Sequence, residues 1–265
     1  MSLLAWIIVF CLLGGVLSVL AAASFLLLSE AMRTKLLPHF VSFAIGAMLG
    51  AALLGLLPHA LEGAGPEGVH QVSLTLLLGL LGFFLLEKMV LWRHCHTEHC
   101  EAHDPEPHGH QHQHHAPAGT LIIIGDAIHN CVDGVLIAAA FLTDVHLGVV
   151  TAIAVAAHEI PQEVGDFAIL LHSGFSRGRA LFFNMLSTLT TVIGGVLAYY
   201  SLNGMQQALP YILAVAASSF LYIAVADLIP GLHKRPEIAD TGKQVVLISL
   251  GVALIYVTHL FLGNV

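Results

Sequence analysis

Apolar runs of about 20 residues recur eight times along this chain, at about 3–28, 40–61, 72–92, 120–142, 147–171, 180–202, 209–230 and 244–262. Each is long enough to cross a hydrocarbon core roughly 30 Å thick as a helix. Backbone polar groups in hydrocarbon must be satisfied within the segment, so such runs are expected to be helical. The chain is 57% hydrophobic and 10% charged, with mean hydropathy +0.86; a soluble domain carries about 25% charged residues. The pattern predicts an all-α polytopic membrane protein, one transmembrane domain over 1–265. The first run is too long for a signal peptide and lacks a basic n-region, so it is read as the first span.

All nine Lys and Arg residues fall in odd-numbered loops. Arg33 and Lys35 lie in the first, Lys88 and Arg93 flank the third, Arg177 and Arg179 lie in the fifth, and Lys234, Arg235 and Lys243 in the seventh. Basic loops stay on the cytoplasmic side, which puts both termini outside. The even loops carry Glu62, Glu67 and Asp144, read as solvated acids. The net charge of −8 is therefore no nucleic-acid signal. Four cysteines give no disulfide framework. Cys11 and Cys131 lie in spans, Cys95 and Cys100 in a loop assigned to the cytoplasm.

That loop, about 93–119, is low in complexity. It holds half of the 18 histidines, with Pro, Gln and Glu and no apolar pattern, so it is expected to be a disordered, cytoplasmic, His-rich segment. His94, Cys95, His96, His99 and Cys100 form its tightest candidate metal cluster. A weaker pattern links Gly55-Leu56-Leu57-Pro58-His59 with Asp227-Leu228-Ile229-Pro230-Gly231. These segments end spans two and seven, which run in opposite directions. The echo suggests an inverted repeat, spans 1–3 against 6–8, around a central pair, spans 4–5.

The polar residues of that central pair are costly. A charged side chain at mid-bilayer costs about 3 kcal/mol, so Asp126, Asp133, Glu159, Glu163 and Asp166 facing lipid would together cost roughly 15 kcal/mol. They are tolerable only facing each other, water or an ion. On a helical wheel with His129 at zero, Asp133 falls at about 40°, Asp126 at about 60° and Asn130 at about 100°. Cys131 points away and reads as a packing residue. From His158, Gln162 falls at about 40°, Asp166 at about 80°, Glu159 at about 100° and Glu163 on the shoulder at about 140°. Two helices thus offer matching triplets at i, i+1 and i+4, His-Asn-Asp and His-Glu-Gln. Such mixed nitrogen and oxygen sets suit Zn²⁺, Fe²⁺, Mn²⁺ or Cd²⁺ better than Cu⁺. Candidate metal residues are His129, Asn130, Asp133, His158, Glu159 and Gln162, with Asp126, Glu163, Asp166 and His59 in a second tier. Pro161 should disturb the fifth span at a polar cavity.

At Gly125-Asp126, His129-Asn130, Asp133-Gly134, His158-Glu159, Pro161, Glu163 and Gly165-Asp166-Phe167-Ala168-Ile169-Leu170 the chain resembles the Zrt/Irt-like (ZIP) divalent metal transporters, nearest the LIV-1 branch. The resemblance implies metal import into the cytoplasm, with no cofactor and no enzymatic activity. It implies a primary site of His129, Asp133, His158 and Gln162, with Asn130 and Glu159 in a neighbouring one. Dimers are frequent in the family, so a homodimer is implied as well. Two departures stand out. Position 162 is Gln where the branch often has His, and the stretch Ser187-Thr188-Leu189-Thr190-Thr191-Val192 has no carboxylate to complete a two-metal centre. Alternatives are a cation-diffusion-type exporter, which would normally show six spans and inside termini, and an intramembrane metalloprotease, whose second His would be Gln162. A metal sensor or buffer is a third. Compactness points to a bacterial inner membrane.

Overall fold

The structure, a computed structural model, describes residues 2–94, 116–233 and 238–262. These residues are helical, with no strand among them. The helices are α1 Leu3–Phe25, α2 Glu30–Gly50, α3 Leu57–His94, α4 Ala116–Thr143, α5 Val145–His172, α6 Arg177–Leu202, α7 Leu209–Tyr222, α8 Ile229–His233 and α9 Ile238–Leu262. Short polar residues start several of them. Ser2, Ser29, Asp144 and Ser176 each accept a hydrogen bond from the backbone N–H three residues on, which satisfies an otherwise orphaned donor.

Six stretches among the described residues are long and apolar enough to cross a membrane. The longest, Glu30–Met89, is 60 residues and would span about 90 Å if straight. It is not straight, because Gly65 sits at φ 67°, ψ 178°, left-handed backbone that glycine enters without steric cost. Pro66 follows and the helix restarts. α5 is not among the six; it carries Glu159, Glu163 and Asp166, and the first two are buried inside the bundle. Contrary to the expectation for Pro161, α5 runs unbroken through it. Leu74, Leu77, Leu78, Leu81 and Leu85 on α3, like Leu13 and Leu17 on α1, are exposed, as lipid-facing surfaces are.

Two wide π-turns, Ala51–Leu56 and Ile223–Leu228, join α2 to α3 and α7 to α8. In each, the N–H closing the turn reaches back five residues, Leu57 to Ala52 and Ile229 to Ala224. Pro58 and Pro230 come next. Each lacks an N–H and its ring crowds the carbonyl four residues back, and a widened turn relieves that crowding.

Glycine seams set the packing. A Cβ on Gly46 would meet the Ile248 carbonyl oxygen at 2.0 Å, and one on Gly251 the Phe43 oxygen at 2.3 Å. α2 and α9 are therefore in backbone contact and run parallel. α4 and α6 pair in the same way. A Cβ on Gly134 would lie 1.9 Å from the Thr191 oxygen, and one on Gly194 2.0 Å from the Cys131 oxygen. Close approach of this kind is what small residues provide between helices that lack a hydrophobic drive to associate. α5 runs antiparallel to α4, with Gly148 against Phe141 at one end and Gln162 beside Asp126 at the other.

Candidate metal centre

The Asp144 cap turns the chain directly from α4 into α5, so polar faces four residues long meet across the bundle. His129, Asp133, His158 and Glu159 converge there, each offering a ligand atom, all within 4.8 Å of one another. His129 Nε2 lies 3.3 Å from His158 Nε2, 3.5 Å from Asp133 Oδ2 and 3.6 Å from Glu159 Oε1. His158 Nε2 is 3.2 Å from Asp133 Oδ2. The imidazole rings stand edge to face, 5.5 Å apart at 84°. Asp133, His158 and Glu159 are buried, while His129 keeps 25% of its side chain accessible.

The hydrogen bonds around the cluster orient it. His158 Nδ1 lies 3.1 Å from the Ala154 carbonyl oxygen. A carbonyl only accepts, so Nδ1 carries the proton and the Nε2 lone pair faces the cluster. Metal-binding histidines are commonly held this way. Neither carboxylate oxygen of Asp133 or Glu159 has a hydrogen-bond partner. Buried polar atoms are nearly always paired, and a bare buried carboxylate is costly. A cation held by two imidazole nitrogens and one oxygen of each carboxylate would neutralise both groups, with a donor set and number suited to Zn²⁺.

The other candidates belong to a second network that reaches α6. Asn130 is buried; its Nδ2 donates to Asp126 Oδ1 at 2.9 Å and its Oδ1 accepts from Thr191 Oγ1 at 2.8 Å. Asp126 also accepts from Ser187 Oγ and, at 3.5 Å, from Gln162 Nε2. Glu163 Oε2 accepts from Asn184 Nδ2 at 2.5 Å, and its Oε1 has no partner. Asp166 is half-buried one turn beyond. Both amide atoms of Asn130 are thus taken up by Asp126 and Thr191, whereas Gln162 reaches Asp126 only through Nε2, at 3.5 Å. Cys131 lines an apolar groove between α4 and α6 with Ile128, Val135 and Ile193. His59 lies elsewhere, at the start of α3. Cys95, His96, His99 and Cys100 lie outside the described residues, and of His94 only the backbone, at the end of α3, is described. The helix of α4 begins at Ala116, a few residues earlier than its apolar run.

From sequence, Asn184 is passed over, and Ser187 and Thr191 count only as part of a stretch without a carboxylate. They fall at i, i+3 and i+7, one face of α6, and this spacing was the available signal.

The family model described as ZIP Zinc transporter matches residues 2–259. The zinc transporter ZIP13 of Mus musculus is 32% identical over 265 residues, covering 89% of this chain and 73% of that protein. The ZIP13 of Pongo abelii is 31% identical over 237 residues, 85% of this chain and 67% of that protein. The zinc transporter ZIP5 of Homo sapiens is 33% identical over 284 residues, 86% of this chain but 52% of that protein.

Proposed function

Since this chain belongs to the ZIP zinc transporter family and is a divalent-metal transporter, not an enzyme, we propose that it imports Zn²⁺ or a related ion into the cytoplasm through the cluster of α4 and α5. The observation that carries this reading is the set of four buried ligands whose carboxylate oxygens have no other partner. ZIP13, ZIP4 and ZIP5, which its relatives are called, belong to the LIV-1 subfamily.

Eight spans with both termini outside are proposed with it. Support comes from the break at Gly65, which divides Glu30–Met89 into two rods, and from the confinement of Lys and Arg to odd loops. The inverted repeat draws support from the two π-turns, each ending just before Pro58 or Pro230. The His-rich loop is then cytoplasmic and tunes flux. A homodimer and a bacterial inner membrane remain part of the proposal.

Oriented proteoliposomes test the direction. Zn²⁺ added at the face bearing the α4–α5 turn should enter, and cysteines placed at Gly204 or Glu67 should react with an impermeant thiol reagent from that same face. A cysteine at Gly178 should react only after permeabilisation. The reverse labelling would overturn the topology and the import direction together.

Gln162 bears on which metals pass. Replacing the amide oxygen with imidazole moves the donor set toward nitrogen, which Zn²⁺ favours over Mn²⁺. Gln162→His should raise the Zn²⁺ to Mn²⁺ uptake ratio about five- to thirtyfold, the effect of one ligand preference of about 1–2 kcal/mol. An unchanged ratio would leave Gln162 as a partner of Asp126 alone.

A further inference from the structure

We propose a second metal site, a capture pair formed by His59 of α3 and His259 of α9, at the membrane end that bears the α4–α5 turn. The two rings stand 5.9 Å apart at 89°. The pair at the candidate centre, His129 and His158, stands 5.5 Å apart at 84°. The likeness extends to how one ring of each pair is held. His59 Nδ1 lies 2.8 Å from the Gly55 carbonyl oxygen, as His158 Nδ1 lies against that of Ala154. A carbonyl accepts only, so His59 keeps its proton on Nδ1 and its Nε2 lone pair is free for a metal. The Nδ1 of His259 is buried and has no hydrogen-bond partner. It sits beside His59 because α2 and α9 run parallel in backbone contact, and the π-turn and Pro58 carry the first rod on into α3 at this level.

The pair is well separated from the candidate centre. Gly55 packs on Leu147 and Val150 of α5, while Leu36 and Leu37 of α2 pack with Val164. α2 and α5 are therefore antiparallel, and His59 lies beyond Gly55 on the side away from His158. Helical rise places it about 20 Å from His158 along the bundle. No third His, Cys, Asp or Glu among the described residues joins the pair within ligand distance. Two imidazoles leave the remaining positions of a Zn²⁺ ion to water. Such a site exchanges its ion readily, which suits a mouth that collects metal for a deeper site rather than one that stores it. The role as an entry site rests on the import reading above; the binding itself does not.

Two measurements separate the parts. The first is residue-resolved mass spectrometry of the full chain after diethyl pyrocarbonate treatment, titrated with Zn²⁺. His59 and His259 should be protected together, over one concentration range higher than that protecting His129 and His158. Modification of both residues unaffected by Zn²⁺, or protection of one alone, would overturn the site. Protection without inward flux in the wild type would leave the pair standing and sink the import reading instead. The second is uptake against external metal. His59→Ala and His259→Ala should each raise KM about tenfold, with a smaller effect on maximal rate, and the double variant should add little further. His259→Cys restores a ligand and should recover low KM for Cd²⁺. His259→Phe restores only the ring contact and should behave like Ala. A Phe variant with wild-type KM would reduce the pair to packing and overturn the proposal.

Discussion

His158→Ala should bring Zn²⁺ uptake in reconstituted vesicles down to leak, more than about a hundredfold below wild type, and His129→Ala should do the same. Altering even an outer partner of a metal ligand commonly costs about 10- to 100-fold, and here a ligand itself is lost. The geometry leaves no substitute. His158 Nε2 lies 3.2 Å from Asp133 Oδ2 and 3.3 Å from His129 Nε2, and Asn130 is bonded to Asp126 and Thr191. His172→Ala is the control. His172 makes the same bond from Nδ1 to a carbonyl four residues back but is exposed, and its loss should change uptake by less than about twofold, as surface substitutions usually do. Tracer uptake on variants matched for size-exclusion profile makes the comparison. Normal flux in both alanine variants would remove the cluster from the permeation path.

Gly134→Ala should be the most damaging single-methyl change in the α4–α6 seam. Its new Cβ would lie 1.9 Å from the Thr191 oxygen and 2.8 Å from the Gly195 nitrogen, and backbone atoms cannot rotate aside as a side chain can. The helices must part, straining the bonds from Thr191 to Asn130 and from Thr190 Oγ1 to the Ala127 carbonyl. Overpacking of this kind costs about 3 kcal/mol, which should appear as a marked fall in melting temperature in detergent. Gly125→Ala on the same helix has nothing within 4 Å of its new Cβ. It should be neutral or gain up to about 1 kcal/mol in helix propensity. Equal melting temperatures for the two variants would contradict the seam.

Much of this was legible before any coordinates. Apolar runs announce helices because hydrocarbon permits little else, and the helical wheel brought His129, Asp133, His158 and Glu159 to facing arcs. The wheel alone does not show that Asn130 bonds Asp126 and Thr191, for a physical reason. An arc of about 100° on a buried helix looks onto two neighbours at once, and one helix's periodicity cannot say which. Here the second neighbour is α6. Its Asn184, Ser187 and Thr191 carry no charge, and hydroxyls are common in spans because they can bond their own helix, as Thr188 does to Asn184. Pro58 and Pro230 were visible as an echo, but the widened turns they impose were not. Pro161 shows the converse, a proline that α5 accommodates without a break. His259 gave no signal either, since its meaning depends on α9 lying along α2.

The seams also have a mechanical meaning. Where a carbonyl oxygen sits where a glycine's Cβ would be, no flexible side chain remains to cushion a slide. α4 with α6, and α2 with α9, are interlocked backbone to backbone. α5 touches α4 through side chains, and so can shear against it by changing rotamers. The four ligands are divided across that joint, His129 and Asp133 on α4 and His158 and Glu159 on α5. An ion bound there would tie the two helices together across that joint.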